Sequence, residues 1–419
     1  DIPAPDLLSS LVDLYFAHRN TFMPLLHRPT FLRDLASRLH ERERAFSELM
    51  LSVCALGVRF SSAERVFADG APANSEEQYH SAGWKYTNQI GSLQGASDYA
   101  LYKVHTICVS FTEIIHRSLH SYIGVRHAQV VGAHRRAFLG PKPSIKQELW
   151  KRAFWLLVNL DSFTSAFLGR PKAIDPAEYD LDLPLECDDE FWEHPDPEQA
   201  FKQPSGRPSK MEYWRVLLKL IDILAFAQKN IVRARTSSGL HVLSWDGKVV
   251  VELDAASNQW VDNIPDHLRW DPHREDLVFF EQSCSLYCPY YFVQIHVHRP
   301  YIHSELTRTD KSRHYSAMSY SSLGVCANGA RSCLHVLDLH SRRTYLYSLQ
   351  PSPGSSSSKP TMDTSRLVPS QMVDSPVVLF NSIIMILLNL WSGGLATDRK
   401  GRWKMSIRVC VNEDMKGAS

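Results

Sequence analysis

Apolar residues return every three or four positions along almost the whole chain, a period that suits helices and no other regular structure. Leu7, Leu8, Leu11, Val12, Leu14 and Tyr15 form one stripe, introduced by Pro3 and Pro5. A second runs from Glu43 to Phe60 through Phe46, Leu49, Met50, Val53, Leu56 and Val58, and Ser75 to Leu93 and Tyr99 to Ile114 follow. The clearest pair sets a helix over Tyr122 to Phe138 against one over Glu148 to Phe167. In the latter, Leu149, Trp150, Ala153, Phe154, Leu156, Leu157, Leu160 and Phe163 cover more than half the circumference, as in a helix surrounded by neighbours. Met211 to Arg235, Asp254 to Asn263, Leu277 to Val297, Ser316 to Ser341 and the strongly apolar Pro376 to Trp391 complete the series. Strand signals are few. His241 to Leu253 fits a short hairpin around Asp246 and Gly247, and nothing supports a larger sheet. The fold class read from this pattern is all-α, a large multi-helix unit with Pro- and Ser-rich loop insertions.

The breaks in the pattern have their own chemistry. A Pro- and Asp-rich stretch over 169–189 ends the helix that Trp150 opens, and 193–210, with four prolines, reads as an exposed connection. Residues 350–375 are rich in Ser and Pro, with four serines in a row at 355–358, and read as a flexible loop.

Charge narrows the function. The 46 Lys and Arg residues against 45 Asp and Glu leave a net charge of +1 over 419 residues. A surface that neutralises many phosphates carries a basic excess, so this segment is not expected to grip nucleic acid by itself. With 44% hydrophobic and 22% charged residues, the chain has ample material for a large core, and disorder throughout is excluded. Cysteines at 54, 108, 187, 284, 288, 326, 333 and 410 are too thinly spread for a disulfide scaffold and read as reduced, buried thiols. No glycosylation sequon and no signal peptide point to secretion, and the most apolar run, 377–391, is shorter than the roughly 20 residues of a membrane span. The sequence begins with Asp1 rather than Met, which reads as a fragment or processed chain.

Few constellations carry chemistry. Two His-Arg-Pro phrases occur, His27-Arg28-Pro29 and His298-Arg299-Pro300. Pro disfavours the α conformation in the residue before it, while His and Arg suit helix carboxyl ends, so both phrases read as helix stops. A metal site from His296 and His298 with Cys284 or Cys288 fails, because residues two apart on a helix face different sides. Cys284 and Cys288 are one turn apart but lack two further ligands, and with Cys326 and Cys333 they read as core packing. Glu186, Asp188, Asp189 and Glu190 invite comparison with the metal-binding carboxylates of all-helical terpene cyclases. They sit beside Pro184 with no second motif, and a solvated acidic loop is the better reading. Nucleophile elbows, phosphate loops, dinucleotide fingerprints and H-E-x-x-H are absent from the sequence.

Four phrases in order resemble one family. The opening runs Leu11-Val12-Asp13-Leu14-Tyr15-Phe16, then Phe22-Met23-Pro24-Leu25-Leu26-His27-Arg28-Pro29-Thr30-Phe31. The second block holds Trp150, Arg152, Phe154, Trp155, Asp161 and Ser165, then Gly169-Arg170-Pro171, and later Asp182 and Pro184. His298-Arg299-Pro300-Tyr301-Ile302 and Cys326-Ala327-Asn328-Gly329-Ala330-Arg331 follow. Together they resemble the regulatory middle homology domain of fungal binuclear-zinc-cluster transcription factors of the xylanolytic-activator type, over about residues 7–395. The family often has Asp-Arg before the Ser, whereas here the run is Asp161-Ser162-Phe163-Thr164-Ser165.

The resemblance implies a domain spanning 1–395, with loops near 193–210 and 350–375 and a divergent tail at 396–419. It implies a nuclear factor controlling RNA polymerase II transcription, not an enzyme, with no catalytic, cofactor or metal residues in this chain. Zinc and direct DNA contact are expected from an N-terminal six-cysteine module upstream of Asp1, since C-x2-C-x6-C is absent here. Transcriptional co-regulators are the implied partners, a small-molecule effector and a homodimer stay open, and no membrane is involved. The competing reading is a metal-dependent helical enzyme of terpene-cyclase type. Gly169 is expected to release the chain from its helix and Arg170 to reach the terminal carbonyls or Asp180 or Asp182, so that Arg170→Ala would destabilise the domain.

Overall fold

A computed structural model of the chain describes residues 2–61, 66, 83–90, 100–109, 114–138, 140, 142–237, 247–306 and 317–348. Among them are twelve α-helices and no strand. In chain order they are α1 (Pro5–His18), α2 (Arg28–Ala36), α3 (Leu39–Arg42), α4 (Arg44–Gly57), α5 (Trp84–Thr87), α6 (Ala100–Val109), α7 (Ile114–Val131), α8 (Ile145–Leu168), α9 (Lys210–Ser237), α10 (Gly247–Asp262), α11 (Leu277–Leu306) and α12 (Ala317–Ser348). The expected helix over 75–93 lies largely, and the expected loop over 350–375 and helix over 376–391 lie wholly, outside the described residues.

α8 is the axis of the fold. Every residue from Glu148 to Ala166 is buried, as its wide apolar face requires, and the helix packs against α6, α7 and α9. Ser144 caps its start by accepting the Gln147 N–H at 3.4 Å. At its end Gly169 takes a φ of +66°, a left-handed conformation that costs a residue with a Cβ, and the Gly169 and Arg170 N–H groups both turn back to the Ser165 carbonyl. α1 and α4 pack together through the stripes read from the sequence, and the core they share with α8, α9 and α11 is continuous.

Four local expectations are corrected. The helix expected over 122–138 ends at Val131, because Gly132 adopts a φ of +87° and turns the chain before a short 310 turn at Arg136–Phe138. The hairpin expected over 241–253 is not formed where the structure describes it, since α10 begins at Gly247 and buries Val250 and Leu253 on one face. Neither His-Arg-Pro phrase stops a helix. Pro29 stands in the first turn of α2, where its missing N–H has no helical partner to lose, so the phrase is a start. Pro300 lies inside α11, which runs on to Leu306, so tertiary packing overrides the local preference.

α11 and α12 form a long antiparallel hairpin, with Phe280 stacked on His340 at one end and His298 bonded to Ser322 near the other. The connection over 193–210 contains no helix until Lys210 and is largely exposed, as expected.

Candidate functional site

The two longest family-like phrases meet at one place. Arg152 projects from the middle of α8 and is 1% exposed, and its Nη2 lies 2.8 Å from Asp189 Oδ1. Its guanidinium sits 4.2 Å from the ring centroid of Trp192, a cation over an aromatic face. The opposite partner of that indole is His27, stacked at 4.5 Å and 10°. His27 Nδ1 is 2.8 Å from Thr30 Oγ1, and its Nε2 is 3.0 Å from the Asp189 carbonyl, which fixes Nε2 as the protonated nitrogen and lets Nδ1 accept from Thr30. Burial pushes the His27 imidazole below its ordinary range, against the pull of Asp189. The Arg28 N–H donates to Asp189 Oδ2 at 3.3 Å, and the Arg28 side chain pairs with Asp13 at 2.6 Å. Outside the clasp, Arg33 grips Glu193 with one nitrogen at 2.7 and 2.8 Å.

These contacts strap 185–193 across α8 and the start of α2. The solvated acidic loop read from the sequence is therefore corrected for its two central residues. Asp188 is buried, and its Oδ1 accepts from Ser209 Oγ at 2.9 Å and the Lys210 N–H at 2.8 Å, which caps α9. Asp189 is held by Arg152. Glu190 and Glu186 stay exposed and pair with Arg207 and Arg215. With the carboxylates committed to protein partners, the lip that a magnesium diphosphate site needs is not built here, and among the described residues no group of three potential metal ligands converges.

The remaining residues of the second phrase are structural neighbours of the strap. Trp155 Nε1 donates to the Asp182 carbonyl at 2.9 Å, and Phe154 and Trp155 both meet the Tyr179 ring edge-on. Trp150 meets Phe138 in the same way. The Pro184 carbonyl accepts from Arg215 at 2.6 Å. Asp161 is buried and both its oxygens accept the Ala173 N–H, at 2.9 and 3.0 Å, while Ser165 Oγ donates to the Asp161 carbonyl. Burial raises the Asp161 carboxyl and lowers the Lys172 amine beside it, each opposed by the other's charge. Lys172 thus supplies the cation near Asp161 that the sequence seemed to lack. Gly169, Arg170 and Pro171 are exposed, and Asp182 pairs with Arg136 at 2.8 Å, so the expected Arg170 contact with Asp180 or Asp182 is replaced by one from Arg136.

Phe31 is buried against Phe16 and Phe46. His298 lies far along the chain from this clasp and belongs to α11, where it is 3% exposed and bonds Ser322 and Asp254; Arg299 and Pro300 beside it are half-buried. Sequence reasoning missed Asp189 and Trp192 as partners of Arg152. The available signal was Phe191-Trp192, two adjacent large aromatics directly after the Pro- and Asp-rich stretch. The seven described cysteines are all free and buried, and burial raises Cys54, Cys187 and Cys326 to about 12.

The comparison with known families fits this geometry. The fungal specific transcription factor domain matches residues 12–261, and the chain belongs to that family. The match runs from α1 into α10 and includes the whole clasp. The Activator of stress genes 1 of Saccharomyces cerevisiae is 24% identical over 322 residues, covering 72% of this chain and 32% of its own. The Transcriptional activator protein acu-15 of Neurospora crassa is 26% identical over 307 residues, or 70% of this chain and 31% of its own. The Acetamidase regulatory protein of Aspergillus fumigatus is 24% identical over 349 residues, or 83% of this chain and 41% of its own. The chain thus spans about a third to two fifths of the length of these relatives. No solved structure matches it. Among the described residues no helix is long and apolar enough to cross a membrane.

Proposed function

We propose that this chain is the regulatory body of a nuclear fungal transcription factor that controls RNA polymerase II genes, acting through intramolecular contacts or an effector rather than by catalysis. The observation that carries the reading is the convergence of His27, Arg152, Asp189 and Trp192. Both family phrases meet in this one packed junction, where Arg152 pairs with Asp189 and His27 bonds Thr30 and the Asp189 carbonyl. On this reading DNA contact and zinc belong to a six-cysteine module upstream of Asp1, and co-regulators meet the body itself. A small-molecule effector would enter between helices, and self-association would set the spacing of DNA half-sites.

The test is the full-length protein. Its coding sequence is expected to contain C-x2-C-x6-C upstream of Asp1, and the purified protein to carry two zinc ions per chain while residues 1–419 carry none. A full-length chain without that cluster and without zinc would overturn the reading.

A further inference from the structure

We propose that the outer face of α7, with the turn that leads into α8, docks an acidic peptide of a partner protein that carries aromatic or large aliphatic anchors. This deepens the reading in which co-regulators meet the body and rests on it for its biological meaning, but the binding itself can fail while that reading stands.

Charge is segregated along a chain whose total is near neutral. Between Glu113 and Glu148 the sequence has no Asp or Glu, and between Lys172 and Lys202 it has no Lys or Arg. The acidic stretch is largely neutralised within the fold. Asp175 pairs with Lys229, Asp182 with Arg136, Glu186 with Arg215, Asp189 with Arg152, Glu190 with Arg207 and Glu193 with Arg33. The basic stretch is not. Arg136 is taken by Asp182, whereas Arg126, Arg135, Lys142 and Lys146 are exposed and form no ion pair among the described residues. Lys146 stands in the first turn of α8, where the helix dipole disfavours a cation, so its charge does not serve the helix.

Apolar side chains sit among these cations. Tyr122, Arg126 and Val130 are spaced four residues apart and make one exposed stripe along α7, with the Arg126 guanidinium 5.2 Å from the Tyr122 ring centroid. Val130 is 87% exposed, the most of any large apolar residue among those described. Past the end of α7, the exposed Phe138 ring turns back over Gly132, where an added Cβ would lie 3.7 Å from Phe138 Cδ2, and it meets Trp150 edge-on one turn after Lys146. Because α7 packs directly on α8, the stripe, the connection and Lys146 border one end of the pair.

That mixture selects the partner. Carboxylates satisfy the arginines and lysines, and apolar anchors cover Val130 and Phe138, which a phosphate backbone would leave wet. A second copy of this chain has few carboxylates left to offer, since its own acidic stretch is already paired.

Fluorescence anisotropy of residues 1–419 with a labelled peptide of Asp and Glu interleaved with Phe and Leu tests this. Binding on the order of 10 μM is expected, as for a small transient interface. Replacing the peptide's Phe and Leu by Ala should weaken it at least about fivefold, and Val130→Ser in the protein at least about threefold. Arg135→Glu with Lys142→Glu should weaken it at least about tenfold, whereas the same charge change at Arg331→Glu with Arg342→Glu on α12 should not. All these protein positions are exposed, and an unchanged melting temperature confirms that each variant is folded. No binding, equal loss from the two charge reversals, or indifference to the anchors or to Val130→Ser would overturn the proposal. So would equally tight binding of a single-stranded DNA oligonucleotide of matched charge, or self-association of the chain that Arg135→Glu with Lys142→Glu abolishes, either of which gives this face to another occupant.

Discussion

Arg152 and Asp189 are 37 residues apart in sequence and meet as an ion pair, Nη2 to Oδ1 at 2.8 Å, with the cation 1% and the anion 25% exposed at the side chain. That asymmetry decides which half matters more. If the carboxylate is neutralised, the guanidinium has no water to turn to. If the guanidinium is removed, the carboxylate can tilt outward. Asp189→Asn is therefore expected to destabilise by about 2–3 kcal/mol and Arg152→Met, which keeps an apolar body over Trp192, by about 1 kcal/mol. Urea unfolding followed by tryptophan fluorescence measures both, and equal losses would mean that the pair is solvated.

Asp188 caps α9 through Ser209 Oγ and the Lys210 N–H, and Ser209 Oγ in turn accepts the Met211 N–H at 3.1 Å. Asp188→Ala removes the acceptor from three donors, since its Oδ2 also accepts from Gln203 Nε2 at 3.3 Å. The expected loss is about 1–2 kcal/mol in the same unfolding experiment, with no change in helix content at 25 °C.

Arg170 is exposed, and the acidic residues expected to hold it are engaged by Arg136. Its backbone N–H makes the helix-closing bond, and any residue supplies that. Arg170→Ala should leave stability within about 0.5 kcal/mol, against the loss expected from the sequence.

Glu281 on α11 is held by burial at a carboxyl pKa of about 7, against 4.5 for the ordinary group. The folded state therefore binds this proton more tightly than the unfolded chain. Stability from this site is complete below pH 4.5 and declines as pH rises through 7. Glu281→Gln should be more stable than the parent at pH 8, by on the order of 2–3 kcal/mol, and no more stable at pH 4. His340 acts in the other direction. Burial lowers it to about 4, so its contribution is complete above 6.5 and falls as pH drops towards 4. A Glu281→Gln gain that is the same at both pH values would show that the carboxyl is not desolvated.

The helices were legible because burial on one face writes itself into the spacing of Leu7 to Tyr15, Phe46 to Val58 and Leu149 to Phe163. The prolines were misread where local and tertiary preferences disagree. Pro29 is harmless at a helix start and Pro300 is tolerated inside α11, and the dipeptides around them look alike. The clasp was half legible. Arg152 and His27 lie on recognisable phrases, but Asp189 and Trp192 sit in a loop-like composition, and their partners are set by a chain reversal that spacing does not encode. The same holds for Lys172, which faces Asp161 only because the turn at Gly169 sends the chain back along α8.

The most direct measurement joins residues 1–419 to a heterologous DNA-binding module and reads a reporter gene in a fungal nucleus. The account predicts output that differs from that of the module alone, and that shifts when Asp189→Asn loosens the clasp in a fusion that still accumulates to the parent level. Output identical to the module alone, from a folded fusion of normal abundance, would contradict it. The contradiction would be complete if the purified chain released diphosphate from a prenyl diphosphate in the presence of magnesium.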